Sequence, residues 1–206
     1  MNTISIAPRD ADVPSRFSNP FATCWTRPGA LTPILPDGLS IEDLVERLRS
    51  NAWRGEIVGP HGSGKSTLLA ALAPVARSAA GGELTIIDGL DEASWLSRRL
   101  LVRPKCRLLA TTHVGAGLPT LCRMAPALDQ LRELYQRLTT DRENSTTLAD
   151  AYDHYDRCQG NIREVWFALY LLHERRSRGA GGASVSCLQR RSRGRAVRLT
   201  PTQEAT

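Results

Sequence analysis

At 206 residues the chain is long enough for one well-buried domain with additional segments at its ends. With 41% hydrophobic and 23% charged residues it has an ordinary globular composition, and no apolar run approaches the roughly 18 residues that would cross a bilayer, which excludes a transmembrane helix. The net charge of +6 is local: eight arginines lie from Arg175 onward against the single acid Glu204, so the body of the protein is close to neutral and is not itself a nucleic-acid-binding surface.

Residues 1–20 are polar, carry Pro8, Pro14 and Pro20, and lack the apolar stretch of a signal peptide, so they read as a loose leader of a cytoplasmic protein. The segment from Asn19 to Gly38 is punctuated by prolines among Phe21, Trp25, Leu31 and Ile34, and reads as an irregular arm. Ser40 followed by Asp43 has the form of a capping box, and Ile41, Leu44, Val45 and Leu48 recur at helical spacing to about Ser50. Residues 55–58 predict a short strand running into a glycine-rich loop, and an Ala/Leu helix follows from Ser66 to about Ser78. Leu84 to Ile87 predicts a second strand, Glu92 to Leu101 a helix, and Arg107 to Thr112 a third strand. This alternation predicts an α/β fold with a parallel, helix-covered sheet. After the break at Gly115–Pro119, Leu121 belongs to a further edge strand, and helices are predicted over about 127–138, 148–158 and 162–175. From Ser177 onward Gly, Ser and Arg dominate, and disorder is expected. The chain thus divides into a leader and arm (1–39), a core (40–125), C-terminal helices (126–176) and an Arg-rich tail (177–206). Cys24, Cys106, Cys122, Cys158 and Cys187 are odd in number and scattered, as expected of reduced thiols without a disulfide framework or zinc site.

The run Gly59-Pro60-His61-Gly62-Ser63-Gly64-Lys65-Ser66-Thr67 carries the most specific chemistry. Its glycines let the backbone wrap closely enough for successive amides to face an anion, and the helix that begins near Lys65 adds its positive end at the same place. Lys65 supplies a point charge for β- and γ-phosphates, and the Ser66 hydroxyl is placed to ligate magnesium. Asp88 ends the second strand, where a carboxylate would help hold that metal. Glu92, or else Asp91, is the candidate general base for an attacking water. Thr111-Thr112-His113 ends the third strand at the carboxyl edge, where ligands of open α/β sheets gather, so a hydroxyl or the imidazole here is placed to hydrogen-bond the γ-phosphate or the water, with Thr112 as the catalytic candidate. Gly160-Asn161-Ile162-Arg163 opens a helix, and Arg163 in its first turn, the unfavourable end for a cation, suggests a phosphate partner.

These motifs resemble those of the additional-strand P-loop NTPases, particularly the AAA+ and STAND groups. Residues 59–67 are similar to their Walker A loop, and Ile87-Asp-Gly-Leu-Asp-Glu92 resembles the acidic motif of the NACHT branch. Leu108-Leu-Ala-Thr-Thr-His113 is similar to the strand called the first sensor, and Gly160-Asn-Ile-Arg-Glu164 to the second-sensor helix. The chain is also similar to small, uncharacterised bacterial ATP-binding proteins. The resemblance implies a P-loop three-layer sandwich. Only 22 residues separate Lys65 from Asp88, so the sheet is expected to be reduced.

The expected ligands are therefore ATP and Mg2+, and the expected function is an ATPase of the regulatory-switch kind, in which bound ATP and its hydrolysis reposition the helices after Thr140, with a protein partner as a further candidate. The alternatives are a nucleotide-gated binding module with little hydrolysis and a P-loop kinase for a small metabolite. The tail, with Arg190, Arg191, Arg193, Arg195 and Arg198, is expected to make weak, salt-sensitive contacts with nucleic acid or anionic surfaces.

Overall fold

The computed structural model describes residues 19–36, 38–103 and 106–191. Its first element, α1 (Thr23–Thr26), is a single turn within the arm. Ser40 then starts α2 (Ile41–Ser50) by the predicted capping box: its hydroxyl accepts from the Asp43 amide at 3.1 Å while the Asp43 carboxylate accepts from the Ser40 amide at 2.9 Å. Strand β1 (Arg54–Val58) feeds the glycine-rich loop, and α3 (Lys65–Ala80) follows. Next come β2 (Thr85–Ile87), a 3-10 turn over Leu90–Glu92, α4 (Trp95–Leu101), β3 (Leu108–Thr112) and β4 (Thr120–Arg123). The helix expected to begin at Glu92 starts three residues later, because Gly89 is left-handed and Ala93 is extended, so Glu92 stands in the turn between them.

All strand pairs are parallel, in the order β2-β3-β1-β4. Chain order and spatial order differ, so β3 lies between the strand that carries the loop and the strand that ends at Asp88. One face of the sheet packs on α2 and α3 through Leu44, Leu48, Ile57, Leu68, Leu72 and Leu109, all fully buried. The other buries Leu90, Leu108, Ala110 and Leu118 against Leu101 and Val102 at the end of α4. The result is α/β with a small all-parallel sheet, as the alternating pattern predicts. Among the described residues no helix is long and apolar enough to cross a membrane.

The remaining helices, α5 (Leu128–Thr139), α6 (Leu148–Arg157) and α7 (Ile162–Arg191), have a core of their own built on Leu131, Leu138, Val165, Trp166 and Leu169. Phe21 belongs to this core, stacked on Trp166 with ring centroids 5.9 Å apart. The arm is fastened there by Asn19, which is fully buried and donates through its amide to the Tyr170 carbonyl and the Glu174 carboxylate, both at 3.1 Å. Helix α7 is described as far as Arg191. The stretch contains no proline, and glycines cost a helix only about 1 kcal/mol each relative to alanine. The leader up to residue 18 and the tail from residue 192, with Arg193, Arg195 and Arg198, lie outside the described residues.

Candidate functional site

Parallel strands gather their carboxyl ends on one edge, and here that edge brings together Gly59, Asp88 and His113. Two glycines of the loop cannot be replaced without displacing a neighbour. A Cβ on Gly59 would lie 2.3 Å from the Met124 carbonyl oxygen, and one on Gly62, whose φ is +72°, would lie 2.0 Å from Asn161 Oδ1. The second contact means that the start of α7 rests directly on the loop. Lys65 is 7% exposed, and its Nζ donates to the carbonyls of Gly59 at 2.6 Å and Pro60 at 2.7 Å, closing the loop on itself. Burial pushes the Lys65 ammonium below the ordinary lysine range; Asp91, Asp88 and Glu92 oppose that shift, and Arg163 adds to it. Within the same loop Ser63 Oγ is buried without a hydrogen-bond partner. Such a donor is left over for something the loop would enclose.

Ser66 and Asp88 meet below the loop: Ser66 Oγ donates to Asp88 Oδ1 at 3.0 Å. Thr111 Oγ1 donates to the same oxygen at 2.6 Å and itself accepts from the Gly89 amide at 2.7 Å. A hydroxyl and a carboxylate side by side are the hard oxygen donors that Mg2+ takes together with phosphate and water. Among the described residues no group of three or more His, Cys, Asp or Glu side chains is arranged to hold a metal ion, so a cation here would draw its other ligands from the phosphates and solvent.

Thr112 is the sequence-predicted site residue that the structure places elsewhere. Successive residues of a strand face opposite sides, and Thr112 Oγ1 donates at 3.0 Å to Glu56 Oε2, with both residues buried. Glu56 Oε2 also accepts from the Ala116 amide at 2.7 Å. Thr112 therefore braces the turn after β3, and Thr111, one residue earlier, is the threonine that lines the cavity.

Glu92 lines the cavity but is exposed, and its carboxylate makes no hydrogen bond among the described residues. Asp91 is more firmly placed. Its Oδ2 accepts from the His113 amide at 2.6 Å and from His113 Nδ1 at 2.8 Å. Burial pushes the Asp91 carboxyl up, but these two hydrogen bonds, together with its own backbone amide and the His113 charge, hold it below the ordinary carboxylate value. The His113 ring lies against His61 of the loop with centroids 3.7 Å apart. Arg163 sits in the first turn of α7, where Asn161 Oδ1 accepts from the amides of Arg163 at 3.2 Å and Glu164 at 3.4 Å. Among the described residues Arg163 makes no ion pair, and it faces the same cavity as the loop.

That cavity has a volume of about 630 Å³. It is lined by residues 61–67, Asp88, Thr111 and Arg163, and its apolar wall comes from Leu31 and Ile34 of the arm, Leu134 of α5, and Trp166 and Phe167 of α7. The sequence reading missed this second wall, the Thr111 contact and the Asp91–His113 pair. Each is made across the fold by segments whose local patterns do not announce it. Comparison of the chain with protein-family models, with curated proteins and with solved structures returns no match.

Proposed function

We propose that the chain binds ATP with Mg2+ on residues 59–67 and hydrolyses it as a regulatory switch. The observation that carries this reading is the Ser66–Asp88 hydrogen bond beneath a closed glycine-rich loop, since it joins the two side chains that the chemistry of a metal-bound triphosphate requires in one place. Further support comes from the parallel sheet, in which one strand separates the loop-bearing strand from the Asp88-bearing strand. That order is in keeping with a reduced P-loop sandwich of the additional-strand kind, and so with the resemblance to AAA+ and STAND ATPases.

In this reading the loop amides and Lys65 hold the β- and γ-phosphates, with Lys65 released from the Gly59 and Pro60 carbonyls as it turns to the ligand. Mg2+, when bound, supplies charge neutralisation at the phosphates. Ser66 and Asp88 hold it, Thr111 keeps Asp88 oriented, and Glu92 lies at the mouth as a carboxylate able to meet a water. Arg163 reports the γ-phosphate to α7, and the apolar end of the cavity takes the nucleoside. Because the arm, α5 and α7 form that end, nucleotide occupancy is conveyed to the helices that a protein partner would meet. The protein works in the cytoplasm, and Arg190, Arg191, Arg193, Arg195 and Arg198 add a weak contact with anionic surfaces or nucleic acid.

A second reading, a nucleotide-gated binding module with little turnover, is favoured by the exposed, unanchored carboxylate of Glu92. One pair of measurements tests both. Mg-ATP at a hundred times its Kd is expected to stabilise the protein by about 2.7 kcal/mol in thermal melts, an effect abolished in Lys65→Ala. Phosphate release alongside that stabilisation supports the ATPase; stabilisation without release supports the binding module; neither effect rejects the nucleotide assignment.

A further inference from the structure

We infer that His113, oriented by Asp91, takes the proton of the attacking water when the γ-phosphate is cleaved, an inference that rests on the ATPase reading above. Asp88 and Glu92 are the carboxylates that line the cavity, and Asp91 is hydrogen-bonded to His113. Asp88 Oδ1 is occupied by the hydroxyls of Ser66 and Thr111. Asp91 Oδ2 is occupied by His113, and Asp91 Oδ1 is shut away from solvent without a partner. Glu92 is exposed and has no hydrogen bond to fix its direction. A group that must meet a water in one geometry gains from being held before the reaction begins.

His113 is held on two sides. The Asp91 carboxylate accepts from both its amide and its Nδ1, so the ring carries its hydrogen on Nδ1 and presents Nε2 as a free acceptor. The His61 ring, at 3.7 Å and inclined by 34°, restrains the imidazole from the loop side. Both rings line the same cavity as Gly62 and Ser63, residues of the loop whose amides would hold the phosphates. The arrangement is that of a base whose remote nitrogen is fixed by a carboxylate, the logic by which hydrolytic enzymes activate weak nucleophiles. The water oxygen forms its bond to the γ-phosphorus as Nε2 accepts the water's proton. The bond from that phosphorus to the β,γ-bridging oxygen breaks, and its electron pair stays on the ADP oxygen facing Lys65. The proton on Nε2 then passes to solvent. Asp91 is a positioning residue here: it stabilises the imidazolium without touching the water.

The test uses the full chain with Mg-ATP, following phosphate release for turnover and calorimetry for binding. His113→Ala is expected to lower kcat by about 100-fold or more while leaving Mg-ATP affinity within about threefold. Added imidazole is expected to restore part of the lost rate, which a merely structural histidine would not show. Asp91→Asn is expected to lower kcat by about 10-fold or more with KM little changed. His113→Gln serves in place of the alanine variant if melting shows that the latter is unfolded. Unchanged kcat in the folded His113 variant overturns the inference, as does a rate lost in Glu92→Gln and kept in that variant. Mg-ATP binding by the unaltered protein without any phosphate release also overturns it and leaves the nucleotide assignment standing, whereas no binding at all removes both.

Discussion

Ser66 and Asp88, 22 residues apart in the chain, meet through a 3.0 Å hydrogen bond at the point where α3 leaves the glycine-rich loop. The contact exists because β3 lies between the strands that carry the two segments and adds its own hydroxyl, Thr111, to the same carboxylate oxygen. Replacing Asp88 with Asn keeps the shape and removes the charge. Mg-ATP affinity measured by calorimetry is expected to fall by about 10-fold or more, the scale on which removal of a metal-supporting group acts. Nucleotide affinity measured with EDTA present is expected to change much less.

Gly62 tests the seat of α7 on the loop. In Gly62→Ala a Cβ would lie 2.0 Å from Asn161 Oδ1, at a backbone φ of +72° that alanine resists. A loss of about 1–3 kcal/mol is expected in urea unfolding. Mg-ATP binding is expected to weaken in the same variant, because the start of α7 and the loop move apart together.

Thr112→Val separates bracing from chemistry. It leaves the buried Glu56 carboxylate with the Ala116 amide as its remaining donor and is expected to cost about 1–3 kcal/mol in stability. Nucleotide affinity is expected to stay close to that of the unaltered protein. A large loss of binding in a folded Thr112→Val protein would return this threonine to the site.

The contact between α7 and the loop before α6 contains a titratable group. His173 is buried, and its Nδ1 accepts from the Ser145 amide at 3.3 Å, with the Ser145 hydroxyl at 3.1 Å. Burial pushes the His173 pKa below its ordinary 6.5, against the carboxylates of Glu174 and Glu143. The folded protein therefore binds fewer protons here than the unfolded chain, so stability is full above 6.5 and declines as pH falls from 6.5 toward the lowered folded value. In His173→Gln this part of the stability profile is expected to flatten. Further down, Arg176 holds the Asp150 carboxyl at about 2, and that contribution is lost as pH falls from 3.8 toward 2. Arg176→Ala is expected to shift acid unfolding to higher pH, measured by circular dichroism.

Much of this architecture was legible in local pattern. The capping box at Ser40, the strand before Gly59, the helix after Lys65 and the carboxylate at the end of β2 each follow from short-range rules, and the structure shows them within a residue or two. What stayed hidden depends on contacts between distant segments. All five residues of β3 are buried, so the alternation that would tell Thr111 from Thr112 is absent from its sequence. The Asp91–His113 pair spans two strand ends, and nothing around either residue marks the other as its partner. The arm has no periodic pattern to show that it would wall a cavity, and its prolines speak of irregularity without saying against what the irregular chain rests.

The fastening of Asn19 to Glu174 joins positions 155 residues apart, and it bears on how the protein can be cut. A shortened version that starts at Ser40 would keep the whole sheet and the glycine-rich loop, yet it would strip the Trp166 ring of Phe21 and open the cavity along one side. One that stops before Tyr170 would remove both acceptors of the Asn19 amide and so unfasten the arm from the opposite direction. The unit that encloses the cavity is therefore a closed belt rather than a central module with dispensable flanks, and fragments cut along the apparent boundary at residue 40 would lack one wall of it.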